Sequence, residues 1–435
     1  MKHITTLLSL LTLVAFTYIS CSETTTPSQE IISTENGQFI KNGEPYYYIG
    51  TNFWYGPLLG SQGECGDRER LNRELDHLKS IGVTNLRVLV GGEGQAEWKS
   101  KISPILQVEP GVYNDELLDG LDYFMYQLQQ RDMTAVLFLS NAWEWSGGFT
   151  QYLMWTGELA EDFDPDLVSW GDFREAATKF VRSEKAKKLL DNHIKYIISR
   201  TNRYTNQRYI DDPAIFSWQL CNEPRAFSSE SKEYLYKWVN ATSTLIRSLD
   251  PNHMISTGSE GRMGCEGDIE LFDRIHSLEN ISYINAHMWS LNWSWIKRDN
   301  MDGTIDGAVE KCKDYLAEHI AVAEKINKPL VFEEFGLPRD NGVIKRGTPT
   351  SHRDRIYKTV FEIIVNSAAN SGKLAGCNFW AWGGDAQQIE GQDYWQSDMD
   401  YSGDPPQEEQ GLNSVYMDDM TTIEIIKNAT TQLNK

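Results

Sequence analysis

The sequence is short of positive charge. It contains 41 lysine and arginine residues against 62 aspartate and glutamate residues, which gives a formal net charge of −21 at pH 7. A protein that binds nucleic acid needs a basic surface to neutralise phosphates, so no nucleic-acid partner is expected. An acidic surface favours solubility and suits a neutral substrate.

Cysteines are few, and their spacing lacks the pattern of a metal site. None of the six forms a C-x-x-C pair, and the eight histidines show no metal-type pair, so we predict no metal. Cys65 and Cys265 lie in glycine-rich loops and are the expected pair if the chain carries a disulfide. Cys221 and Cys377 lie in strand-like runs, which predicts burial as small apolar residues.

Two nucleotide-binding motifs are also missing. No G-x-G-x-x-G follows the first predicted strand, and no GxxxxGK[ST] occurs anywhere. Ser259 lacks the glycine two residues before it that a nucleophile elbow requires. We therefore expect no cofactor. No internal repeat and no second domain are evident.

Hydrophobic and aromatic residues are plentiful. They make up 40% and 11% of the chain, enough for a large core, which argues against global disorder. There are 14 tryptophans, more than core packing alone needs. The surplus suggests an aromatic-lined cleft, because sugars stack their C–H faces on rings.

The first 20 residues are typical of a signal peptide. Positive residues at the start precede an apolar run, 5–19, that is too short for a comfortable membrane span. Tyr18-Ile19-Ser20-Cys21 resembles a bacterial lipobox, although Tyr18 stands where the pattern prefers leucine. Residues 21–35 would be a tether, which resembles the acidic export signal of bacterial surface lipoproteins. The alternative is ordinary signal cleavage nearby, with Cys21 as an incidental thiol.

This reading predicts a secreted protein that is lipid-anchored through Cys21 to the bacterial outer membrane, facing the cell surface or the periplasm. The membrane contact would be this anchor only. Residues 36–435 would form one catalytic domain, and we expect a monomer.

Strand-like and helical runs alternate along the domain, which predicts an α/β fold and specifically a (β/α)8 TIM barrel. A doubly wound sheet shows the same alternation but lacks support without a nucleotide motif. A small hairpin at 38–46, with an Asn-Gly turn, should close the bottom of the barrel. Long βα-loop insertions are expected at 143–170 and 383–410. The predicted strands are 47–52, 83–90, 134–140, 214–220, 254–257, 281–286, 329–332 and 374–379.

Polar and aromatic residues stand at the carboxyl ends of these strands, where barrel enzymes place their chemistry. Asn222 and Glu223 end the fourth strand, and Pro224 prevents further strand pairing. Glu334 ends the seventh strand. Two carboxylates on one face suit cleavage of a glycosidic bond, since one must hold a proton while the other is ionised. The other candidates at strand ends are Arg87, Asn141, Trp143, His287, Trp289 and Trp380.

Asn222-Glu223-Pro224 and Glu334-Phe335-Gly336 together resemble the paired signature of clan A glycoside hydrolases. With the runs 82–87, 141–143 and 328–336, the chain resembles glycoside hydrolase family 5 and its β-mannanase subfamily. The resemblance extends from about Phe39 to Thr421.

The resemblance implies a role for each matching residue. Glu223 would be the acid/base and Glu334 the nucleophile of a retaining enzyme, with carboxyl groups about 5–5.5 Å apart. Asn222 would bind the sugar 2-hydroxyl, His287 would belong to the catalytic network, and Trp380 would stack on the sugar.

Physical chemistry adds expectations for these groups. Arg87 should favour ionised Glu334, while burial and the nearby negative charge should keep the proton on Glu223. The family pattern after strand six is His-x-Tyr, with the tyrosine donating to the nucleophile. Trp289 stands there instead, and its indole N–H either takes that role or the contact is lost. Asn141 and Trp143 are expected to line the cleft.

Other polar residues have plainer interpretations. Glu333 should point away from Glu334 and be solvated or support the site from behind. Glu144 and Glu260 are loop carboxylates for which substrate contact and solvation are equally expected. His193 and His319 are interpreted as helix-surface residues.

These observations predict an endo-1,4-β-mannanase acting on β-mannan polysaccharide or manno-oligosaccharides. Three alternatives stay open: an exo-acting β-mannosidase in which the insertions block one end of the cleft, a β-1,4-glucanase, and a glycan-binding lipoprotein without activity. Retention of both carboxylates argues against the last.

Overall fold

The computed structural model of the protein describes residues 30–95 and 98–434. Eight parallel strands form one sheet in the order five, four, three, two, one, eight, seven, six. The fifth and sixth strands close the ring, since Ser282 N donates to Ile255 O at 2.7 Å. The predicted TIM barrel is therefore confirmed. Its strands are Tyr48–Asn52, Asn85–Leu89, Thr134–Phe138, Ile215–Gln219, Met254–Ser256, Ile284–Met288, Leu330–Phe335 and Leu374–Phe379.

Every residue of these strands is buried, because side chains face either the barrel interior or the surrounding helices. Within the described residues, no helix is long and apolar enough to span a membrane. The α-helices are Gly56–Gly60, Arg68–Ser80, Asp115–Gln129, Gly148–Trp155, Trp170–Ala177, Glu184–Ile198, Lys232–Leu249, Ile269–His276, Met301–Ile326, Ser351–Ala369 and Met420–Leu433.

The N-terminal hairpin closes the bottom of the barrel as predicted. Gln38–Lys41 pairs with Glu44–Pro45 through a turn in which Asn42 and Gly43 both have positive φ. Ser33–Glu35 adds a third strand, so the sheet includes residues that the sequence reading gave to the tether. Phe39 packs its ring edge-on against Phe216 and Tyr283 inside the barrel. Cys21, the predicted signal peptide and the tether up to residue 29 lie outside the described residues.

The two long insertions reach the catalytic face of the barrel. The first contains the helix Gly148–Trp155 and leads to Trp170–Ala177. The second insertion is stabilised by Asp404, whose carboxylate accepts hydrogen bonds from the backbone N–H groups of Gly411, Asn413 and Ser414. This buried anchor folds residues 404–414 into a compact loop.

The expected Cys65–Cys265 disulfide is absent, and both thiols are free. Their loops follow the first and fifth strands, which stand four positions apart in the sheet order and so on opposite sides of the barrel. Cys221 and Cys377 are buried, as predicted.

The prediction for two helical histidines is wrong. His193 and His319 are both buried. His193 Nε2 lies 2.9 Å from Val90 O, and His319 Nε2 accepts from Arg262 N at 2.9 Å. Both therefore join helices to the loops that follow barrel strands.

Candidate active site

A cavity of about 490 Å³ opens at the carboxyl ends of the barrel strands. Six of the predicted residues line it: Trp143, Asn222, Glu223, Trp289, Glu334 and Trp380. Arg87, Asn141 and His287 do not; they are fully buried directly behind it. The sequence thus identified the right cluster, but it did not separate residues facing the cavity from those supporting them.

Glu223 is held by three N–H donors. His287 Nδ1 lies 2.8 Å and Trp289 Nε1 3.2 Å from Glu223 Oε1, while Trp143 Nε1 lies 2.6 Å from Oε2. Burial raises the pKa of Glu223, but the hydrogen bond and charge of His287 outweigh it and lower the pKa to about 2. These N–H donors favour the carboxylate form of Glu223, whereas the sequence predicts that burial and nearby negative charge keep its proton.

The backbone of Glu223 is unusual, since its φ is +47°. Residues other than glycine rarely adopt this left-handed conformation. Glu223 lies in the loop that follows the fourth strand, and its side chain lines the cavity.

Glu334 faces Glu223 from the seventh strand. Its Oε1 accepts a short hydrogen bond from Arg87, and His287 Nδ1 lies 3.4 Å from its Oε2. Burial raises the pKa of Glu334 to about 7, against the opposing effect of the charges of His287 and Arg87. Arg87 thus favours the ionised form, as predicted, but desolvation is the larger influence.

Arg87 organises the layer beneath the cavity. Its guanidinium donates to Gln219 Oε1 at 2.8 Å, to Asn52 Oδ1 at 3.0 Å and to Asn222 Oδ1 at 2.8 Å. With no exposed surface, Arg87 positions Glu334 and Asn222 and does not reach substrate. Asn52 and Gln219 lack any motif of their own, and only strand geometry could have identified them.

Asn141 supports the same layer from the third strand. Its Oδ1 accepts from Asn222 Nδ2 and from the backbone N–H of Trp143, both at 3.1 Å. Asn222 is therefore held from two sides, by Arg87 and Asn141.

His287 lies between the carboxyl groups of Glu223 and Glu334. Burial lowers its pKa, but the negative charges of Glu334, Glu223 and Glu333 prevail and raise it to about 9.

Glu333 is not solvated as one interpretation held. It is fully buried, accepts from Gln219 Nε2 at 2.7 Å and lies 3.6 Å from Arg87 Nε.

Two outcomes were open for Trp289: a hydrogen bond from its indole to Glu334, or loss of that contact. The indole donates to Glu223 Oε1 at 3.2 Å and not to Glu334. Trp380 meets Trp289 edge-on, with ring centroids 5.8 Å apart, and lies in the cavity wall where a sugar ring can stack.

Several cavity residues escaped the sequence prediction. Arg225 pairs with Glu260 at 2.8 Å, and both line the cavity. Burial together with the charge of Glu223 raises the pKa of Glu260 to about 8. Glu144 also lines the cavity, so both loop carboxylates lie at the candidate site. Glu408 reaches it from the second insertion, and no local motif could have identified it.

Glu223, His287 and Glu334 each place one ligand-type atom within 4.8 Å of the others. Such spacing also suits a metal ion. Here, however, indole N–H groups and a guanidinium are aimed at the carboxylates, and these donors compete with a cation for the same oxygens.

Comparison with known proteins agrees with this geometry. Residues 29–435 match the family model described as glycoside hydrolase family 5, β-mannosidase-like. Putative mannan endo-1,4-β-mannosidase 4 of Arabidopsis thaliana is 30% identical over 372 residues, covering 81% of this chain and 83% of the relative. Putative mannan endo-1,4-β-mannosidase 9 of Oryza sativa subsp. japonica is 31% identical, with the same coverage of 81% and 83%.

Among solved structures, a mutant of the glycoside hydrolase family 5 mannosidase from Rhizomucor miehei, in complex with mannosyl-fructose, superposes with a TM-score of 0.85. It is 34% identical, and the match covers 93% of this chain and 97% of that one. The endo-β-1,4-mannanase from Thermotoga petrophila has a TM-score of 0.65 at 22% identity, over 91% and 78% of the two chains, which shows the shared fold alone. The chain therefore belongs to the β-mannosidase-like group of glycoside hydrolase family 5.

Proposed function

We propose that the protein is a retaining glycoside hydrolase that cleaves β-1,4-mannosidic bonds within mannans. The observation that carries this is the pairing of Glu223 and Glu334 across a cavity with tryptophan walls. One oxygen of each lies within 4.8 Å of the other, which fits the short carboxyl separation of about 5–5.5 Å in retaining enzymes better than the roughly 6.5–9.5 Å of inverting ones.

In this proposal, Glu223 and Glu334 divide the two halves of the reaction between them. Glu334 attacks the anomeric carbon while a proton from Glu223 goes to the leaving oxygen, which gives a covalent glycosyl-enzyme. Glu223 then takes a proton from water as that water releases the sugar from Glu334. Arg87 and Asn222 hold the nucleophile and the 2-hydroxyl contact in place, and Trp380 stacks on the sugar.

Exo action is the second candidate. Both insertions contribute to the cavity wall, through Trp170 from the first and through Gln407 and Glu408 from the second. The family model is β-mannosidase-like, and the Rhizomucor miehei mannosidase superposes better than the Thermotoga petrophila mannanase. A wall at one end of the cleft would restrict cleavage to chain ends.

Product profiling on defined oligosaccharides tests the function. Mannohexaose should give a mixture of mannobiose and mannotriose early in the reaction, whereas mannose as the sole product would establish exo action. Proton NMR of the first product should show the β-anomer. Faster cleavage of cellohexaose would favour a glucanase, and binding without hydrolysis would refute enzymatic function.

The location of the protein is a separate proposal. The apolar run 5–19 followed by Cys21 supports export and lipid anchoring at a bacterial outer membrane. Radiolabelled palmitate should enter the wild-type protein in its native host and not Cys21→Ala. Equal labelling of both would contradict the anchor. We also propose a monomer, for which light scattering should give the mass of one chain.

A further inference from the structure

The three contacts of Glu223 differ in what they can do with a proton. Trp143 and Trp289 present indole N–H groups, which donate hydrogen bonds but neither accept one nor release a proton at ordinary pH. His287 Nδ1, at 2.8 Å from Oε1, does both. Among the described contacts of this carboxyl group, only the imidazole can exchange a proton with it.

The surroundings of His287 favour the proton on the imidazole when the cavity is empty. Nδ1 faces Glu223 and, at 3.4 Å, Glu334. Nε2 lies 3.8 Å from Glu333 Oε2, beyond hydrogen-bond distance. Glu260 is a further carboxyl group near the pair, with its pKa raised to about 8 by burial and by the charge of Glu223, and Arg87 and Arg225 are the positive groups of the cluster. The ring has no exposed surface, so bulk water does not compete.

The indole of Trp289 strengthens this arrangement. A tyrosine hydroxyl placed against Glu223 would accept a hydrogen bond from the protonated acid and stabilise it. An indole does not. Among the described hydrogen-bond partners of Glu223, His287 Nδ1 is the one that can accept from a protonated carboxyl group, and a substrate oxygen in the cavity is the alternative acceptor.

We propose that Glu223 and His287 share a single catalytic proton, which rests on His287 Nδ1 in the free enzyme and reaches the leaving oxygen through Glu223. This inference rests on the proposed retaining hydrolysis. His287 acts through Glu223 as its proton-exchange partner and does not itself touch the sugar.

Over one turnover the proton leaves His287 and is replaced by a proton from water. When a mannoside fills the cavity, the proton moves from Nδ1 to Glu223 Oε1 and then to the glycosidic oxygen as the C–O bond breaks and Glu334 bonds the anomeric carbon. In the second half, water attacks that carbon and the bond to Glu334 breaks. The proton released by water passes to Glu223 and returns to Nδ1.

The test compares two substrates, one whose leaving group must be protonated as it departs and one whose leaving group departs without a proton. Glutamine at position 287 can still donate to Glu223 but cannot release a proton. His287→Gln should lower kcat/KM by about 100-fold or more on mannohexaose, whose leaving group needs protonation. On 2,4-dinitrophenyl β-mannoside, whose leaving group departs unprotonated, the loss should be less than tenfold. His352→Gln, at a helix start remote from the cavity, should leave both values unchanged.

Each outcome bears on one claim. If wild type cleaves neither substrate, the proposed function fails. If wild type cleaves both and His287→Gln loses both equally, the shared proton is refuted and His287 only positions Glu223. As a check that needs no variant, nitrogen-15 NMR of histidine-labelled wild type should show His287 as an imidazolium at pH 7. A neutral ring there would overturn the inference.

Discussion

At the scale of single residues, the site depends on one buried cation. Arg87 contacts both Glu334 and Asn222, and it lies near Glu333 as well. Its position could be predicted from the sequence, because a strand in a barrel must direct an interior arginine toward carboxylates. The sequence does not predict that Arg87 is fully buried, because its burial depends on how Asn52 and Gln219 pack around it.

Replacing Arg87 by methionine should therefore affect both stability and activity. Two buried carboxylates would lose their charge partner, which typically costs about 3–5 kcal/mol. Thermal unfolding should show a large drop in Tm, and activity should be nearly lost. Arg208→Met removes an exposed arginine that forms an ion pair with Asp211, and this variant should behave like wild type. An Arg87→Met enzyme with normal Tm would contradict the supporting role.

Glu223→Gln and Glu334→Gln should each remove nearly all hydrolysis of mannohexaose without unfolding the protein. The amides keep the volume of the carboxyl groups but supply neither nucleophile nor acid. Circular dichroism and initial rates measure the two effects. Near-normal turnover in either variant would refute the assignment.

At the scale of elements, the sequence predicted the barrel well and the insertions poorly. Strands such as Ile215–Gln219 are short apolar runs that stop at a proline-containing turn, and helices such as Lys232–Leu249 show clear periodicity. The loop 404–414 shows neither an apolar run nor helical periodicity. It is organised by one buried carboxylate that accepts from several backbone N–H groups, an arrangement that no spacing of residue types encodes.

Asp404→Asn tests this loop. The amide replaces a carboxylate oxygen by an NH₂ group, so at least one N–H donor of the loop loses its acceptor. Because Gln407 and Glu408 then become less fixed at the cavity wall, KM for mannohexaose should rise several-fold with a smaller change in kcat. Asp398→Asn, exposed in the same insertion, serves as the control. A change in kcat without a change in KM would contradict a role of the Asp404 loop in substrate binding.

At the scale of the whole molecule, the titrating groups of the cavity should give a bell-shaped pH profile. Glu334 must lose its proton to attack, so kcat/KM should rise as the pH passes about 7. His287 must hold the shared proton, so kcat/KM should fall as the pH passes about 9. Rates on mannohexaose between pH 5 and 10 measure both limbs. A profile that is flat from pH 6 to 10 would contradict this linkage.

The left-handed backbone at Glu223 has a consequence for engineering. Glycine adopts this conformation without steric cost, whereas a residue with a Cβ atom loses about 1 kcal/mol. Glu223→Gly should therefore be more stable than Glu223→Ala by roughly that amount, although both lack the acid/base. A library selected only for thermostability would tend to accumulate glycine at this position, and activity must be part of the selection for the catalytic glutamate to survive.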